Sequence, residues 1–337
     1  MMGETRIMFR QRRFWLGLIV SLVLLVFVFY QTDPAKILDS LAQAQYIYLV
    51  PALALYFLGV WVRAIRWHFL LRSIKPIPGR VLFGALAIGY MANDILPFRI
   101  GELVRAYVLG RQENVSKAAT LVTIVVERAF DGLTMLTFIV AASFWINFGD
   151  EALAGRLRLV GALFVVVLIG LAVLAGMPHR VEQIAEFFVR RVPSAALRTR
   201  LTDLLRTLLT GLGALRSPVD SFIVYALSLI AWLCETGVFV LVGLAFGIVL
   251  PFAVFLLAVA FSNLVTAAPS TPGYVGVFDA PIVYTLTLFG VDQNLAASYT
   301  LVVHVVLYLP ITLLGFYYLW RTGLSLGQLT QTQPETQ

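Results

Sequence analysis

Ionisable residues that could bind a charged ligand lie inside apolar stretches of this sequence. A charged side chain at the centre of a bilayer costs about 2.5–3.5 kcal/mol on insertion scales, so each one needs a reason. The residues concerned are Arg63, Arg66, Arg99, Glu102, Arg105, Glu127, Arg128, Asp131 and Glu235. Guanidinium groups bind phosphate oxygens through paired hydrogen bonds, and nearby carboxylates can balance them in an empty site. The set therefore predicts a site for a phosphate-bearing group.

Three of these residues, Arg99, Glu102 and Arg105, follow a predicted helix break at Pro97. Glu102 and Arg105 are three positions apart and therefore share one face of a helix. A broken helix leaves backbone groups without partners beside the two guanidiniums, an environment that suits an anion. We predict that Arg99 and Arg105 hold the phosphate and that Glu102 balances them when no ligand is bound.

Glu127, Arg128 and Asp131 form a second group, about ten residues into their own apolar stretch. At 1.5 Å per residue they lie roughly 15 Å deep, near the middle of the bilayer. We predict that Arg128 contacts the phosphate and that the two carboxylates balance the guanidiniums. Glu235, central in a later stretch, should approach from the other half of the chain. The alternative is an ion pair that only holds helices together.

Arg63, Arg66 and Trp67 lie toward the end of the second apolar stretch. They extend the candidate site if they point inward. The alternative is that both arginines reach the lipid headgroups while Trp67 lies in the interfacial aromatic belt. The sequence leaves both interpretations open.

The elements that position these residues must be membrane helices. Of 337 residues, 60% are hydrophobic and 13% charged, and the mean hydropathy is +0.89. Apolar runs of roughly 17 residues or more are long enough to cross the hydrocarbon core as helices. We predict a single all-α polytopic membrane domain over residues 1–337, with about six full spans. These are residues 14–30, 46–71, 118–146, 159–176, 221–247 and 295–320.

Several classes of function are disfavoured by what the sequence contains. Cys234 is its one cysteine and its three histidines are scattered, so we expect no disulfide framework, no metal site and no cofactor. The sequence has no G-x-x-x-x-G-K-[ST] phosphate-binding loop and no nucleophile motif, and we assign no catalytic residue. The net charge of +7 suits loops that face anionic lipid better than nucleic acid.

Loop charge predicts the orientation. The N-terminal tail, the loop with Arg72, Lys75 and Arg80, and the arginine-rich segment 177–216 are all basic and should be cytoplasmic. The segment 177–216 should be an amphipathic surface helix. The first span lacks a small-residue cleavage pattern, so we expect it to be retained. The chain is then a multi-pass protein of the cell (inner) membrane with both termini cytoplasmic.

An even number of crossings between the basic loops requires residues 81–110 to enter and leave on one side, as a re-entrant broken-helix hairpin. Residues 252–290 should form a second hairpin from the opposite side. The P-x-x-x-G break recurs 172 positions later, which predicts two copies related as an inverted repeat, 46–146 and 221–320. The breaks are assigned to Pro97, Gly101, Pro269, Pro272, Gly273 and Gly276, and the hairpin tips should meet. The alternative is coincidence, since Pro and Gly are ordinary in membrane helices.

Four motifs together resemble a known family, the transmembrane region of lysylphosphatidylglycerol synthases and its stand-alone, flippase-like (UPF0104-type) relatives. They are Arg63-x-x-Arg66-Trp67, Asn93-x-x-Leu96-Pro97-x-Arg99-x-Gly101-Glu102-x-x-Arg105, Glu127-Arg128-x-x-Asp131 and Pro269-x-x-Pro272-Gly273-x-x-Gly276. The resemblance implies movement of polar or charged lipids between leaflets. Only a short polar tail follows Trp320, so we expect no soluble aminoacyltransferase domain.

We therefore expect a lipid translocase, not an enzyme, that moves an anionic phospholipid or a polyprenyl-phosphate-linked lipid. Its partners should be the membrane lipid substrate and the bilayer, without nucleic acid, and a homo-oligomer is compatible with the sequence. The alternative is an intramembrane enzyme acting on a lipid-linked substrate, with Glu127, Asp131 or Glu102 as general base. A passive scaffold would leave the buried charges unexplained.

Overall fold

The computed structural model describes residues 32–96, 100–146, 217–266 and 271–324, together with Ser21, Val23, Leu24, Val26, Gly155 and Leu159. Regular structure in these ranges is helical, as predicted. The helices are α1 (Pro34–Gln43), α2 (Leu49–Leu71), α3 (Gly79–Ile95), α4 (Gly101–Glu113), α5 (Lys117–Trp145), α6 (Pro218–Ala245), α7 (Phe252–Val265), α8 (Asp279–Leu288) and α9 (Gln293–Arg321). Short 3-10 helices occupy Tyr46–Tyr48 and Pro272–Tyr274.

Several predicted features lie outside the described residues. They are Pro97, Arg99 and Pro269, nearly all of the spans predicted at 14–30 and 159–176, and the segment 177–216. Within the described ranges, three helices are long and apolar enough to cross a membrane, Tyr46–Leu71, Val219–Ala245 and Gln293–Arg321. They coincide with three of the predicted spans. The span predicted at 118–146 is the single helix α5, which carries Glu127, Arg128 and Asp131.

Side-chain caps explain where the long helices begin. The Ser116 hydroxyl accepts from the Ala119 N–H at the start of α5, and the Ser217 hydroxyl accepts from the Asp220 N–H before α6. Asp292 accepts from the N–H groups of Asn294 and Leu295 and so caps α9. Each cap satisfies amide groups that the first helical turn leaves without a partner.

Helices α2 and α6 pack as antiparallel neighbours. At one end Arg72 forms an ion pair with Asp220, and at the other the Gln45 N–H donates to the Ala245 carbonyl oxygen at 2.8 Å. Midway, a Cβ at Gly59 would lie 3.2 Å from the Cβ of Cys234, so the two helices approach closely. The end that contains Arg72 is the basic end.

The first helix pair, α3 and α4, returns to the end of the bundle where it began. The loop before α3 meets the last residue of α4 through Lys75 Nζ, which lies 3.0 Å from Glu113 Oε2. Inside the pair, a Cβ at Gly101 would lie only 2.1 Å from the Gly89 carbonyl oxygen. The Gly101 N–H also donates to Asn93 Oδ1 at 2.8 Å. Gly101 is therefore required by close approach of two backbones.

In the second helix pair, α7 and α8, a tight turn at residues 272–276 precedes α8 and meets the tip of the first pair. Gly273 and Gly276 have φ values of +69° and +82°, which glycine adopts without steric cost. Pro272 begins the 3-10 turn, and this turn packs against α3. A Cβ at Gly273 would lie 3.5 Å from the Asp94 carbonyl oxygen.

Helix contacts in the two halves correspond. The pair α3 and α4 matches α7 and α8, and α4 with α5 matches α8 with α9. Between the halves, α3 packs on α9, and the corresponding contact is that of α7 on α5. Helices α2 and α6, which correspond to each other, pack together. This arrangement encloses a space bordered by α2, α3 and α5 from one half and α6, α7 and α9 from the other.

Candidate functional site

Glu127 is the centre of a buried charge network on helix α5. It has no solvent exposure, and both of its oxygens accept from Arg105 of α4 at 3.0 Å. Arg66 Nη2 of α2 lies 3.2 Å from Glu127 Oε1, and Arg128 Nη2 lies 3.1 Å from the same oxygen. Three guanidiniums thus surround one carboxylate, and this ties α2, α4 and α5 together.

Asp131, one turn further along α5, links the network to α6. Its Oδ1 accepts from Arg66 Nη1 at 2.5 Å and from Trp232 Nε1 at 2.8 Å. Its Oδ2 lies 3.6 Å from Arg128 Nη1. Arg66 also donates to the Ser228 hydroxyl of α6 at 2.8 Å. Asp131 therefore has partners from both halves of the molecule.

Two indole rings cover two of the arginines. The Arg105 guanidinium lies 4.2 Å from the ring centre of Trp67, and that of Arg63 lies 4.5 Å from the ring centre of Trp232. Trp67 and Arg66 have no solvent exposure, and Arg63 is 5% exposed. These side chains point into the helix bundle. The arginines therefore do not reach for lipid headgroups, and Trp67 does not lie in an interfacial belt.

Glu235 is paired across the two halves. Its Oε2 accepts from Arg63 Nη2 at 2.6 Å, which joins α2 to α6. The two positions are 172 residues apart in sequence, the same offset as between the two proline breaks. Since Arg63 stacks on Trp232 and Trp232 donates to Asp131, Glu235 is connected to the network around α5.

A cavity with about 120 Å³ of free volume lies between the halves, beside this network. Its lining includes Arg63, Arg128, Asp131 and Glu235 from the predicted set. The Arg128 side chain is 36% exposed. Arg105, Arg66 and Glu127 are not in the lining, and they pack behind it. The structure thus divides the predicted residues into a cavity group and a group enclosed by protein.

Of the remaining predicted residues, Glu102 lies at the tip of the first hairpin. Glu102, at the start of α4, is 3.5 Å from the amide nitrogen of Asn93. The phosphate-binding role of Arg99 stays a prediction because that residue lies outside the described ranges. Within those ranges, no three His, Cys, Asp or Glu side chains converge in a way that could hold a metal ion.

Sequence reasoning did not assign part of the cavity lining to the site. Polar residues from the ends of α3 and α7, and aromatic residues from five elements, face the space. They are Asn93, Asp94, Asn263, Thr266, Tyr56, Tyr90, Trp232, Tyr274, Phe278 and Tyr308. Asp94 could have been found as an acidic residue near the end of an apolar stretch. The tyrosines carry no such signal, because aromatic residues are common throughout this sequence.

The sequence of the chain is similar to those of known membrane proteins. The sequence profile of the family described as the lysylphosphatidylglycerol synthase TM region matches residues 14 to 315. Two UPF0104 membrane proteins of Methanothermobacter thermautotrophicus are similar to the chain. One is 25% identical over 90% of this chain and 92% of its own length, and the other is 24% identical over 88% and 92%.

A third relative is named for an enzymatic activity. The glycosyltransferase AglD of Haloferax volcanii is 25% identical over 78% of this chain, and the match covers 47% of AglD. No solved structure matches the chain.

Proposed function

The chain belongs to the family of the lysylphosphatidylglycerol synthase transmembrane region, and on that premise we propose that it is a lipid translocase. It moves an anionic phospholipid or a polyprenyl-phosphate-linked lipid between the leaflets of the cell membrane. The observation that carries this proposal is the cavity between the two halves, with the partly exposed side chain of Arg128 on its wall. A phosphate headgroup can reach this guanidinium without breaking the enclosed ion pairs.

The enclosed network supports the proposal through its charge. Four arginines, Arg63, Arg66, Arg105 and Arg128, are joined to three carboxylates, those of Glu127, Asp131 and Glu235. One positive charge of this group is therefore not balanced within it. An excess positive charge away from bulk water favours a phosphate anion over a neutral headgroup.

Arg128 takes the role that the sequence analysis gave to Arg105. Both guanidinium end nitrogens of Arg105 are bonded to Glu127, and its side chain is 2% exposed. Arg99, which lies between the cavity-lining Asp94 and the start of α4, is proposed as the second phosphate contact. Glu102, three positions after Arg99 in the sequence, lies in the first turn of α4.

The proposed mechanism is alternating access by two inverted hairpin repeats. The antiparallel packing of α2 on α6 and the matched helix contacts support such a repeat. The basic end, with Arg72, Lys75 and Arg80, is assigned to the cytoplasm, and both hairpins re-enter the bilayer in this arrangement. The ion pair between Arg63 and Glu235 crosses the interface, so it must lengthen or exchange partners if the halves move.

Lipid exchange in liposomes tests the proposal. Full-length protein reconstituted with fluorescent phosphatidylglycerol should make the inner-leaflet label accessible to an impermeant quencher. Arg128→Gln should abolish the acceleration, whereas Arg80→Gln, which removes an exposed arginine from the first turn of α3, should not. Absence of acceleration by the unaltered protein, across several anionic headgroups and a polyprenyl phosphate, would contradict the proposal.

A second candidate is an intramembrane enzyme acting on a lipid-linked sugar, and the similarity to AglD favours it. Of the three carboxylates considered as general base, Asp131 is the one that lines the cavity. Glu127 is surrounded by three guanidiniums, which make it a poor acceptor of a proton from a substrate. Turnover of a lipid-linked sugar by detergent-purified protein, lost in Asp131→Asn, would support this candidate over the translocase.

A further inference from the structure

A second set of ionisable and hydroxyl side chains lies along α9 and connects the two hairpins. Positions 304, 308 and 312 are four apart, so His304, Tyr308 and Thr312 share one face of the helix. His304 Nδ1 lies 2.7 Å from Asp279 Oδ1 of α8. At the other end, Thr312 Oγ1 donates to Asp94 Oδ2 of α3 at 2.6 Å. We call these five side chains the α9 stripe.

Asp94 differs from the other carboxylates that line the cavity. Asp131 and Glu235 are each ion-paired with arginine, whereas Asp94 accepts a hydrogen bond from the neutral hydroxyl of Thr312. No described lysine or arginine lies within ion-pair distance of it. A partly buried carboxylate without a cation gains from binding a proton, because the neutral form needs no compensating charge.

The other end of the stripe holds a second proton-accepting group. Asp279 is 7% exposed, and its Oδ2 accepts from the Gly276 N–H at 2.8 Å while its Oδ1 faces His304. This carboxylate fixes the imidazole ring, which also stacks on Tyr308 with ring centres 4.3 Å apart. Chains of Asp, His and hydroxyl groups inside a membrane domain are typical of proton pathways.

Groups on every element around the cavity determine the charge that Asp94 experiences. They are Tyr56 and Arg63 of α2, Tyr90 of α3, Glu102 of α4, Arg128 and Asp131 of α5, Glu235 of α6, Tyr274 of the 3-10 turn, Asp279 of α8, and His304 and Tyr308 of α9. Arg63 is paired with Glu235, and Arg128 with Glu127 and Asp131. An ionised Asp94 would therefore repel an anionic headgroup in the same cavity.

From this geometry we propose that Asp94 is a proton-binding site and that proton uptake there is coupled to binding of the anionic headgroup. The pair of His304 and Asp279 is the second position on the path. One proton adds to the Asp94 carboxylate as the headgroup binds and leaves as it is released, so proton and lipid move together. By linkage, each ligand strengthens the binding of the other. The coupling rests on the proposed translocase function, but the proton site does not.

Infrared difference spectroscopy tests the proton site without any transport. In full-length protein in detergent, lowering the pH through neutrality, where exposed carboxylates stay ionised, should produce the C=O stretching band of a protonated carboxylic acid. Adding dihexanoyl-phosphatidylglycerol at fixed pH should increase that band, which its shift in D2O distinguishes from the ester carbonyl band of the lipid. Asp94→Asn should remove it, and Thr312→Val, which keeps the carboxyl group but removes its hydroxyl partner, should shift it. Asp39→Asn, at an exposed position on α1, should leave it unchanged. A band that persists in Asp94→Asn overturns the proposal.

Liposomes with an imposed pH gradient test the coupling. Exchange of fluorescent phosphatidylglycerol should accelerate when the gradient is applied, and Asp94→Asn should lose this response. If the unaltered protein exchanges lipid at a rate indifferent to the gradient, the coupling is wrong while the translocase stands. If no lipid exchanges but the Asp94 band responds to pH and to dihexanoyl-phosphatidylglycerol, the translocase is wrong while the proton site stands.

Discussion

Two successive turns of helix α5 use the same residue types for different purposes. In the first, Glu127 is enclosed by Arg66, Arg105 and Arg128 and has no exposure. In the next, Asp131 faces the cavity, where Arg128 is partly exposed. The difference teaches that a charge inside a membrane domain is not by itself a binding residue. A binding residue differs from a structural charge in two respects. It is exposed to a cavity, and the protein does not fully balance its charge.

Replacing Arg105 should give the largest loss of stability. Arg105→Met leaves Glu127 without its two-bond partner, and breaking a buried pair on one side costs about 3–5 kcal/mol. Thermal unfolding of the detergent-purified protein measures the loss. Arg111→Met, on the same helix but exposed, is the control and should behave like the unaltered protein. Arg105→Lys, which keeps the charge but not the fork, should fall between them.

The close approach inside the first hairpin should give the next largest effect. In Gly101→Ala the new Cβ would lie 2.1 Å from the Gly89 carbonyl oxygen and 2.5 Å from Asn93 Oδ1. Overpacking of this kind costs about 1–3 kcal/mol, because backbone must shift. Gly132→Ala in α5 is the matched control, since nothing lies within 4 Å of its Cβ. It should be neutral or slightly stabilising, because alanine favours a helix. Equal effects of the two substitutions would refute the steric account.

Asp292 offers a third kind of carboxylate, exposed and outside the membrane-spanning segments. The Leu295 N–H, with that of Asn294, holds its pKa below the ordinary value. Asp292→Ala should cost on the order of 1 kcal/mol at neutral pH through loss of the cap. A carboxyl whose pKa is lower in the folded state stabilises the fold fully above its unfolded pKa of about 4. This contribution is lost as the pH falls from there through the folded-state pKa. The stabilities of Asp292→Ala and the unaltered protein should therefore converge in acid. A difference that grows there would be inconsistent with the cap.

The smallest stability effect is expected at Arg128. From the sequence alone, its removal would strand Glu127 and Asp131 as uncompensated buried charges. The structure gives both carboxylates Arg66 as a further partner, and Glu127 also has Arg105. Arg128→Gln should therefore cost less than about 1 kcal/mol, as for a partly exposed ion pair. Unfolding measured beside lipid exchange gives the check. A loss of stability as large as that of Arg105→Met would remove the distinction between the enclosed turn of α5 and the turn that faces the cavity.

The helices and their breaks could be predicted from the sequence because they depend on local properties. Apolar run length predicted α2, α6 and α9, and two glycines marked the breaks, since α4 begins at Gly101 and Gly273 lies in the 3-10 turn before α8. The charged residues were also evident, since few ionisable residues interrupt the apolar stretches, but the sequence left open whether Arg63 and Arg66 point inward. Asp94 was overlooked because one acidic residue at a helix end resembles an ordinary loop residue.

The sequence by itself determined that this is a helical membrane domain with costly charges beside two helix breaks. Only the tertiary structure decided which guanidinium meets which carboxylate. Arg105 and Arg128 both lie on helices of the first half, yet one lies between Glu127 and Trp67 while the other reaches the cavity. Spacing along a helix fixes the face on which a side chain lies. The crossing of α4, α5 and α2 fixes what that face meets, and such crossings depend on contacts between residues far apart in the chain.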